Sequence, residues 1–446
     1  MLTVLMYTLG VLLFVLGVAV SIGLHEVGHL YPAKKFGVKV TQYFVGFGRT
    51  VWSTRRGETE YGVKAIPLGG YVKLVGMLPP GREDEVDEQG RLKIRKSNTG
   101  MFTQLVSDAR AAEYELVQDG DEDRLFYKLP WWKKVVVMAG GPTVNLVLAF
   151  LMFGAVFMIH GATVTTTTID EVSDCVIAAT PQNVDENGAQ RACRADDPVA
   201  PAKQAGLRKG DHVVSFNGTK VTSWDQFSSL IRANEDGRAV IVVERDGREI
   251  TTTTSTTVSA RPTSASDDTI VEVGFLGVVP QQVLERQGPV FVVTEMGRMT
   301  WDTVEALASL PVKLYHVGRA ALGLEDRAAD SPMSVVGASR IAGEVSSAHE
   351  VPLVNRLFFL LGLLGGINLF VGMFNFVPLL PLDGGHIAGA LYEAVRRGLA
   401  KVFRRPDPGY FDTAKLLPVA YVMAGVILVM SVVLIYADIV VPVSLD

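Results

Sequence analysis

Charge is what this 446-residue chain has least of. Asp, Glu, Lys and Arg make up 20% of it, against roughly 25% in an ordinary soluble domain. The deficit is concentrated: residues 1–24, 135–159, 357–382 and 416–437 contain no charged side chain at all. Each run is at least as long as the roughly 20 apolar residues a helix needs to cross a bilayer, which excludes a purely soluble enzyme. Cysteine is scarcer still, with two in the whole chain, so a small disulfide scaffold is excluded. An excess of cations is also missing. The 42 Lys+Arg against 47 Asp+Glu leave a formal net charge of −5, and no basic block is dense enough for a nucleic-acid partner. No Lys or Arg precedes Lys34. The first apolar run therefore lacks the cationic start of a signal peptide and is expected to be a retained span.

The pattern predicts a polytopic α-helical membrane protein with four transmembrane helices, at 1–30, 131–160, 353–390 and 415–440. Cations set the orientation. Residues 30–134 hold 18 Lys/Arg and 379–415 hold six, whereas 1–29 and 416–446 hold none. Both termini are expected outside a cell membrane, with 31–79, an acidic insertion at 80–130 and a basic loop at 391–414 in the cytoplasm. The insertion carries Glu83, Asp84, Glu85, Asp87 and Glu88, then Asp119, Asp121, Glu122 and Asp123; it is read as a solvated segment without chemistry. Residues 161–280 are expected to form an exported β-rich domain. Asn217-Gly218 and Asp246-Gly247 mark two-residue hairpin turns there, and Ser223 is placed to cap a helix running to Ala233. The string from Pro201 to Gly218 resembles the PDZ domains of bacterial envelope proteases. Cys175 and Cys193, both on the oxidising side, are expected to form a disulfide. Residues 281–352, with Val304, Leu307, Leu310 and Leu314 at helical spacing, read as amphipathic and lying on the membrane.

The chemistry is carried by His25-Glu26-Val27-Gly28-His29 at the inner end of the first run. On a helix, positions i and i+4 share a face, so two imidazoles grip one metal ion and the intervening Glu26 is placed as general base. A His-Glu pair is costly among Leu, Val and Ile in lipid, and such residues are usually functional. Two imidazoles leave a catalytic zinc site one protein ligand short. The metzincin position is occupied by Lys35; Glu58 and Glu60 qualify by position only, in a charged stretch. Asp383 is the better candidate, in Asn375-Phe376-Val377-Pro378-Leu379-Leu380-Pro381-Leu382-Asp383-Gly384-Gly385-His386. Pro378 and Pro381 break the helix, and Gly384-Gly385 are expected to let the backbone turn sharply. His386 competes as a ligand but is read as supporting. Two apolar segments, 61–66 and 71–75, flank Pro67-Leu68-Gly69-Gly70 like a hairpin.

These motifs together resemble the site-2 protease family of zinc intramembrane metalloproteases, in particular the bacterial regulator-of-sigma-E type. The likeness extends through Phe44-Val45-Gly46-Phe47-Gly48, Gly69-Gly70-Tyr71-Val72-Lys73-Leu74, Gly140-Gly141-Pro142-Thr143-Val144-Asn145 and Ser331-Pro332-Met333-Ser334-Val335-Val336-Gly337. It implies Zn2+ held by His25, His29 and Asp383, water activated by Glu26, and Asn375 orienting the substrate or steadying the oxyanion. A helix-packing hydrogen bond is the alternative for Asn375. It also implies a re-entrant β-hairpin whose residues Gly69 to Leu74 hold an unwound substrate near the cytoplasmic face. The expected substrate is a single-span membrane protein, an anti-sigma factor already trimmed by a site-1-type protease. Clearance of signal-peptide remnants, pheromone processing and a non-catalytic PDZ scaffold are the competing functions. The departures from the pattern are a single PDZ-like unit and the acidic insertion.

Overall fold

The computed structural model describes residues 2–81, 85–86, 92–93, 100–118, 120–183, 191–264, 267–328 and 330–443. Glu83, Asp84, Asp87, Glu88 and Asp119 of the acidic insertion lie outside the described residues. In chain order the elements are α1 (Leu2–Lys35), β1 (Val40–Arg56), β2 (Thr59–Leu74), the short pair β3 (Glu85–Val86) and β4 (Leu92–Lys93), α2 (Met101–Tyr114) and α3 (Trp131–Ala155). A second unit, 160–287, holds β5 (Ala162–Val172), α4 (Pro201–Gln204), β6 (His212–Phe216), β7 (Thr219–Lys220), α5 (Trp224–Ala233), β8 (Arg238–Arg245), β9 (Arg248–Ser255), β10 (Thr257–Ser264), β11 (Asp267–Phe275) and β12 (Val278–Glu285). The chain returns to the first unit with α6 (Pro289–Ala321), α7 (Val335–Ser347), α8 (Leu353–Asn375), α9 (Asp383–Val402) and α10 (Leu417–Val440).

Among the described residues, four helices are long and apolar enough to cross a membrane: Leu2–Lys35, Trp131–His160, Leu353–Asn375 and Thr413–Val440. Helix α1 stops where Gly37 takes φ 84°, with the Gly37 and Val38 amides bonded back to Lys34 and Ala33, a glycine-terminated helix end. Lipid tails are as apolar as leucine, so spans associate through small residues that let backbones approach. A methyl group on Gly28 would lie 2.4 Å from the Gly140 carbonyl oxygen of α3, and one on Gly10 would lie 2.2 Å from Ser346 of α7. Ser21 of α1 accepts a buried 3.0 Å hydrogen bond from Asn368 of α8.

The first unit departs from expectation in three places. The third span is not one helix over 353–390. It ends at Asn375, and a new helix opens at Asp383 and runs to Val402, through the first half of what reads as a basic loop at 391–414. Pro378 and Pro381 break the helix as expected. Gly384 and Gly385, however, make no turn: they lie in the first turn of α9, where a methyl group would come within 2.2 Å of the Val377 carbonyl and 2.6 Å of the Leu380 amide nitrogen. Their role is close approach. The segments 61–66 and 71–75 do not pair with each other. Residues 40–45 lie between them, with Tyr43 opposite both Val72 and Tyr61, and Val45 opposite both Gly70 and Val63. β1 then returns along β2, Thr50 opposite Lys64 and Arg56 opposite Thr59. Segment 70–74 thus has β1 on one side and no strand on the other among the described residues.

The part of the acidic insertion from 100 onward is docked rather than simply solvated. Glu113 of α2 accepts the Gly76 and Met77 amides at 2.7 and 3.0 Å. Arg110 grips Asp412 with two bonds of 2.7 Å. Asp121 pairs with Lys39, and Leu125 and Tyr127 are buried with Val75. Charge density alone misled here because these carboxylates have fixed partners.

The second unit has sheet order β12-β5-β6-β8-β9, a separate β10-β11 hairpin, and a core around Phe216, Phe227, Ile241 and Leu276. Asn217 and Gly218 take φ 49° and 81°, and Asp246 and Gly247 take 51° and 74°, as two-residue hairpins require. Ser223 caps α5 by accepting the Gln226 amide at 3.2 Å. The Cys175 and Cys193 sulfurs are bonded to each other. β12 runs to Glu285 beside β5, past the expected boundary at 280, because the strand needs that length to cover its partner.

One buried ion pair ties the end of α10 to the α6–α7 connection. Arg327 and Asp438 meet at 2.6 Å with both side chains 2% exposed, and Asp438 also accepts the Ser334 and Gly337 amides at the start of α7. Removing one partner of such a pair costs about 3–5 kcal/mol because the other charge stays buried and unpaired. Asp438→Ala is therefore expected to lower the unfolding midpoint of the purified protein in detergent well below that of wild type. An unchanged midpoint would show that the pair contributes nothing.

Candidate metal centre

The sequence spacing sets His25 and His29 on one face of α1, one turn apart. Their Nε2 atoms lie 3.2 Å from each other. The third group arrives from the other end of the chain: Asp383 Oδ2, on the first residue of α9, is 3.4 Å from His25 Nε2 and 3.3 Å from His29 Nε2. A tetrahedral zinc ion with bonds of about 2.0–2.1 Å sets its ligand atoms about 3.3–3.4 Å apart. The three atoms present already form that triangle, so the residues fit the metal. The tautomer of His29 follows from its other nitrogen, which donates at 2.8 Å to the Val137 carbonyl of α3 and leaves Nε2 as the acceptor. Such outer bonds orient metal-binding imidazoles.

The space beside the triangle is kept by a residue without a side chain. A methyl group on Gly141 would stand 2.3 Å from His29 Nε2 and 2.7 Å from His25 Nε2. Gly140-Gly141 thus does two things: Gly140 brings α3 against α1, and Gly141 leaves room at the ligand atoms. The motif was visible in the chain, but no spacing argument assigns it to the metal pocket. Only the helix crossing does.

Glu26 is buried at 9% exposure in the same turn. A methyl group on Gly70 would be 2.9 Å from the Glu26 Cγ. The open edge of segment 70–74 therefore runs past the carboxylate. The other residues of that run do different work. Gly69, at φ 119°, faces the Phe47 ring; Tyr71 stacks on Phe44 and bonds Gln42; Leu74 is core. Lys73 offers its carbonyl to Thr41 at 3.4 Å.

Among the described residues, His25, His29 and Asp383 are the group of metal-ligating side chains that converges. Glu58 does not join them. It is held by Arg124 at 2.6 and 2.8 Å, and that guanidinium keeps its carboxyl below the usual range. Glu60 lies in the β-sheet opposite Gln42 and Arg55. His386 sits in the first turn of α9, near Asp383 but outside the triangle. Asn375, the last residue of α8, donates to the Val371 carbonyl of its own helix at 3.0 Å.

Comparison with known proteins gives a consistent picture. The model of peptidase family M50 matches residues 13–404. The chain is 34% identical over 450 residues to the zinc metalloprotease Rip1 of Mycobacterium tuberculosis, covering 99% of both proteins. It is 34% identical over 454 residues to Rip1 of Mycolicibacterium smegmatis, again covering 99% of both. With the regulator of sigma-W protease RasP of Bacillus subtilis it shares 24% identity over 433 residues, covering 88% of this chain and 91% of the relative.

Gly141→Val is expected to weaken zinc binding by about tenfold or more, the scale on which a displaced ligand shell acts. Gly366→Val in α8, where a methyl group meets open space, is the control. Competition with a chromophoric chelator reads both; equal affinities would remove Gly141 from the pocket.

Proposed function

The chain belongs to peptidase family M50, the site-2 proteases, and from that membership we propose that it is a zinc-dependent intramembrane endopeptidase. It hydrolyses a peptide bond in or beside the membrane helix of a single-span protein. The observation that carries this reading is the triangle of His25, His29 and Asp383 ligand atoms at 3.2–3.4 Å, with Glu26 in the same helical turn of a candidate span.

Zinc, when bound, polarises the scissile carbonyl and lowers the pKa of water toward 7. The chain's own groups do the rest. The two imidazoles and Asp383 would hold the ion. Glu26 accepts the proton of the attacking water as its oxygen bonds to the carbonyl carbon. It then delivers that proton to the amide nitrogen as the C–N bond breaks, the double duty of a positioned general base. A helical substrate hides its backbone in its own hydrogen bonds, so it must be extended first. The unpaired edge of 70–74 supplies backbone donors and acceptors to a strand added beside it, next to Glu26. Asn375 is the candidate to orient that strand, on rotation away from Val371.

The cation asymmetry of the loops supports a topology with both termini outside the cell and the centre near the cytoplasmic face. The unit at 160–287 is then exported, as a PDZ-like domain that admits substrates whose outer part has been removed. RasP is named as a regulator of sigma-W protease; by analogy the substrate here is an anti-sigma factor pre-trimmed by a site-1-type protease.

Glu26→Ala tests the chemistry. It is expected to keep zinc and to lose cleavage by about 100-fold or more, while membrane proteomics of the variant strain reveals a clipped single-span protein that accumulates. Cleavage at the wild-type rate would end the proposal. Val72→Pro, which removes an amide from the open edge, is expected to lose cleavage with zinc retained; unaffected cleavage would rule out strand addition there.

A further inference from the structure

Helix α9 presents two contrasting faces. One is pinned to protein: Gly389, Ala390 and Glu393 are buried, Glu393 bonds Lys134 of α3 at 2.8 Å and accepts the Phe411 amide at 3.0 Å, and Arg396 donates to the Pro408, Gly409 and Tyr410 carbonyls. The opposite face is apolar and bare. Leu391, Val395, Leu399 and Val402 are 45–75% exposed, and at 100° per residue they fall within an arc of about 80°. Cations border it. Lys401, Arg404 and Arg405 are exposed, and residues 391–407 hold five Lys/Arg against Glu393, which is buried, and Asp407, which lies 3.4 Å from Arg397.

The helix does not cross the bilayer, because Asp383, Glu393, Arg396, Arg397 and Lys401 all fall within it. It is nevertheless held at the membrane: the preceding candidate span ends at Asn375 and the next begins at Thr413, so the connection starts and finishes on one face. We propose that α9 lies in the plane of the membrane surface, its apolar stripe inserted among the acyl chains and Lys401, Arg404 and Arg405 bound to anionic lipid headgroups. An apolar face bordered by Lys and Arg is the composition of an interfacial helix, and each cation near an anionic surface strengthens binding about fivefold. Since Asp383 is the first residue of this helix, the lipid surface sets the position of the carboxylate in the metal triangle. Anionic lipid is then a positioning partner of the centre.

The effect on cleavage rests on the proposed protease activity; the docking itself does not, and the test separates them. Cys175 and Cys193 are bonded to each other, so Val395→Cys introduces a single thiol for a nitroxide on the intact protein in vesicles. The expected result is a label exposed to oxygen and shielded from aqueous nickel, lying deeper in phosphatidylcholine vesicles containing phosphatidylglycerol than in phosphatidylcholine alone. Adding Lys401→Gln, Arg404→Gln and Arg405→Gln is expected to abolish that dependence and to remove a severalfold stimulation of cleavage by phosphatidylglycerol. A label open to nickel in both vesicles would overturn the proposal. So would spin–spin broadening, which would place a second copy of the chain on this face. A depth that follows phosphatidylglycerol equally with and without the three cations would overturn the headgroup contact. Correct docking without any cleavage would count against the protease reading alone.

Discussion

Everything in the first unit is arranged around the approach of one carboxylate to two imidazoles. Asp383 Oδ2 stands 3.3–3.4 Å from both Nε2 atoms, and none of the three would be tolerated alone in an apolar layer. The attraction between them, and the ion they are spaced to hold, is what makes polar side chains at that depth affordable. It also dictates the packing. Two helices from opposite ends of a 446-residue chain must be held to within a few tenths of an ångström, a precision that loops do not provide.

The chain meets that demand with backbone contact and second bonds. Gly28 and Gly140 bring α1 and α3 together with no side chain between them, and Val137 turns His29 through its carbonyl. On the side of Asp383, the glycines that open α9 let its first turn press against the 376–380 loop. Lys134–Glu393 then ties the same helix to α3 at 2.8 Å. α3 is the common support, contacting α1 through its glycines and α9 through its lysine. Its Gly-Gly pair therefore governs both the crossing angle and the room left for the ion.

The β-segments solve a different problem. Pairing satisfies the backbone groups of a strand, whereas the proposed strand addition needs an edge left unpaired. Folding β1 between the two halves of β2 pairs most of the backbone and leaves the outer edge of 70–74 open beside Glu26. The docked α2 holds the exit of that segment through Glu113, which caps the Gly76 and Met77 amides. Local hairpin reasoning failed here for a clear reason. A turn between two apolar runs says that the chain reverses, but which strand fills the gap is decided by a segment twenty residues away.

Local regularities were legible in the chain because they depend on neighbours a few residues apart. The four apolar runs specify spans, i and i+4 spacing specifies a shared face for His25 and His29, and Asn-Gly and Asp-Gly specify hairpin turns whose φ values follow from backbone sterics alone. Asp383 was legible as the better candidate among carboxylates, since it follows the third apolar run just past Pro378 and Pro381, and the resemblance agreed with it. What tertiary structure alone decided were relations across long separations: Gly141 against the imidazoles, Glu58 committed to Arg124, α9 as a helix whose outer face is bare, and the acidic insertion as a docked element. Those outcomes depend on which surfaces meet when helices cross. Composition and period fix what each surface is, but not which other surface it will touch.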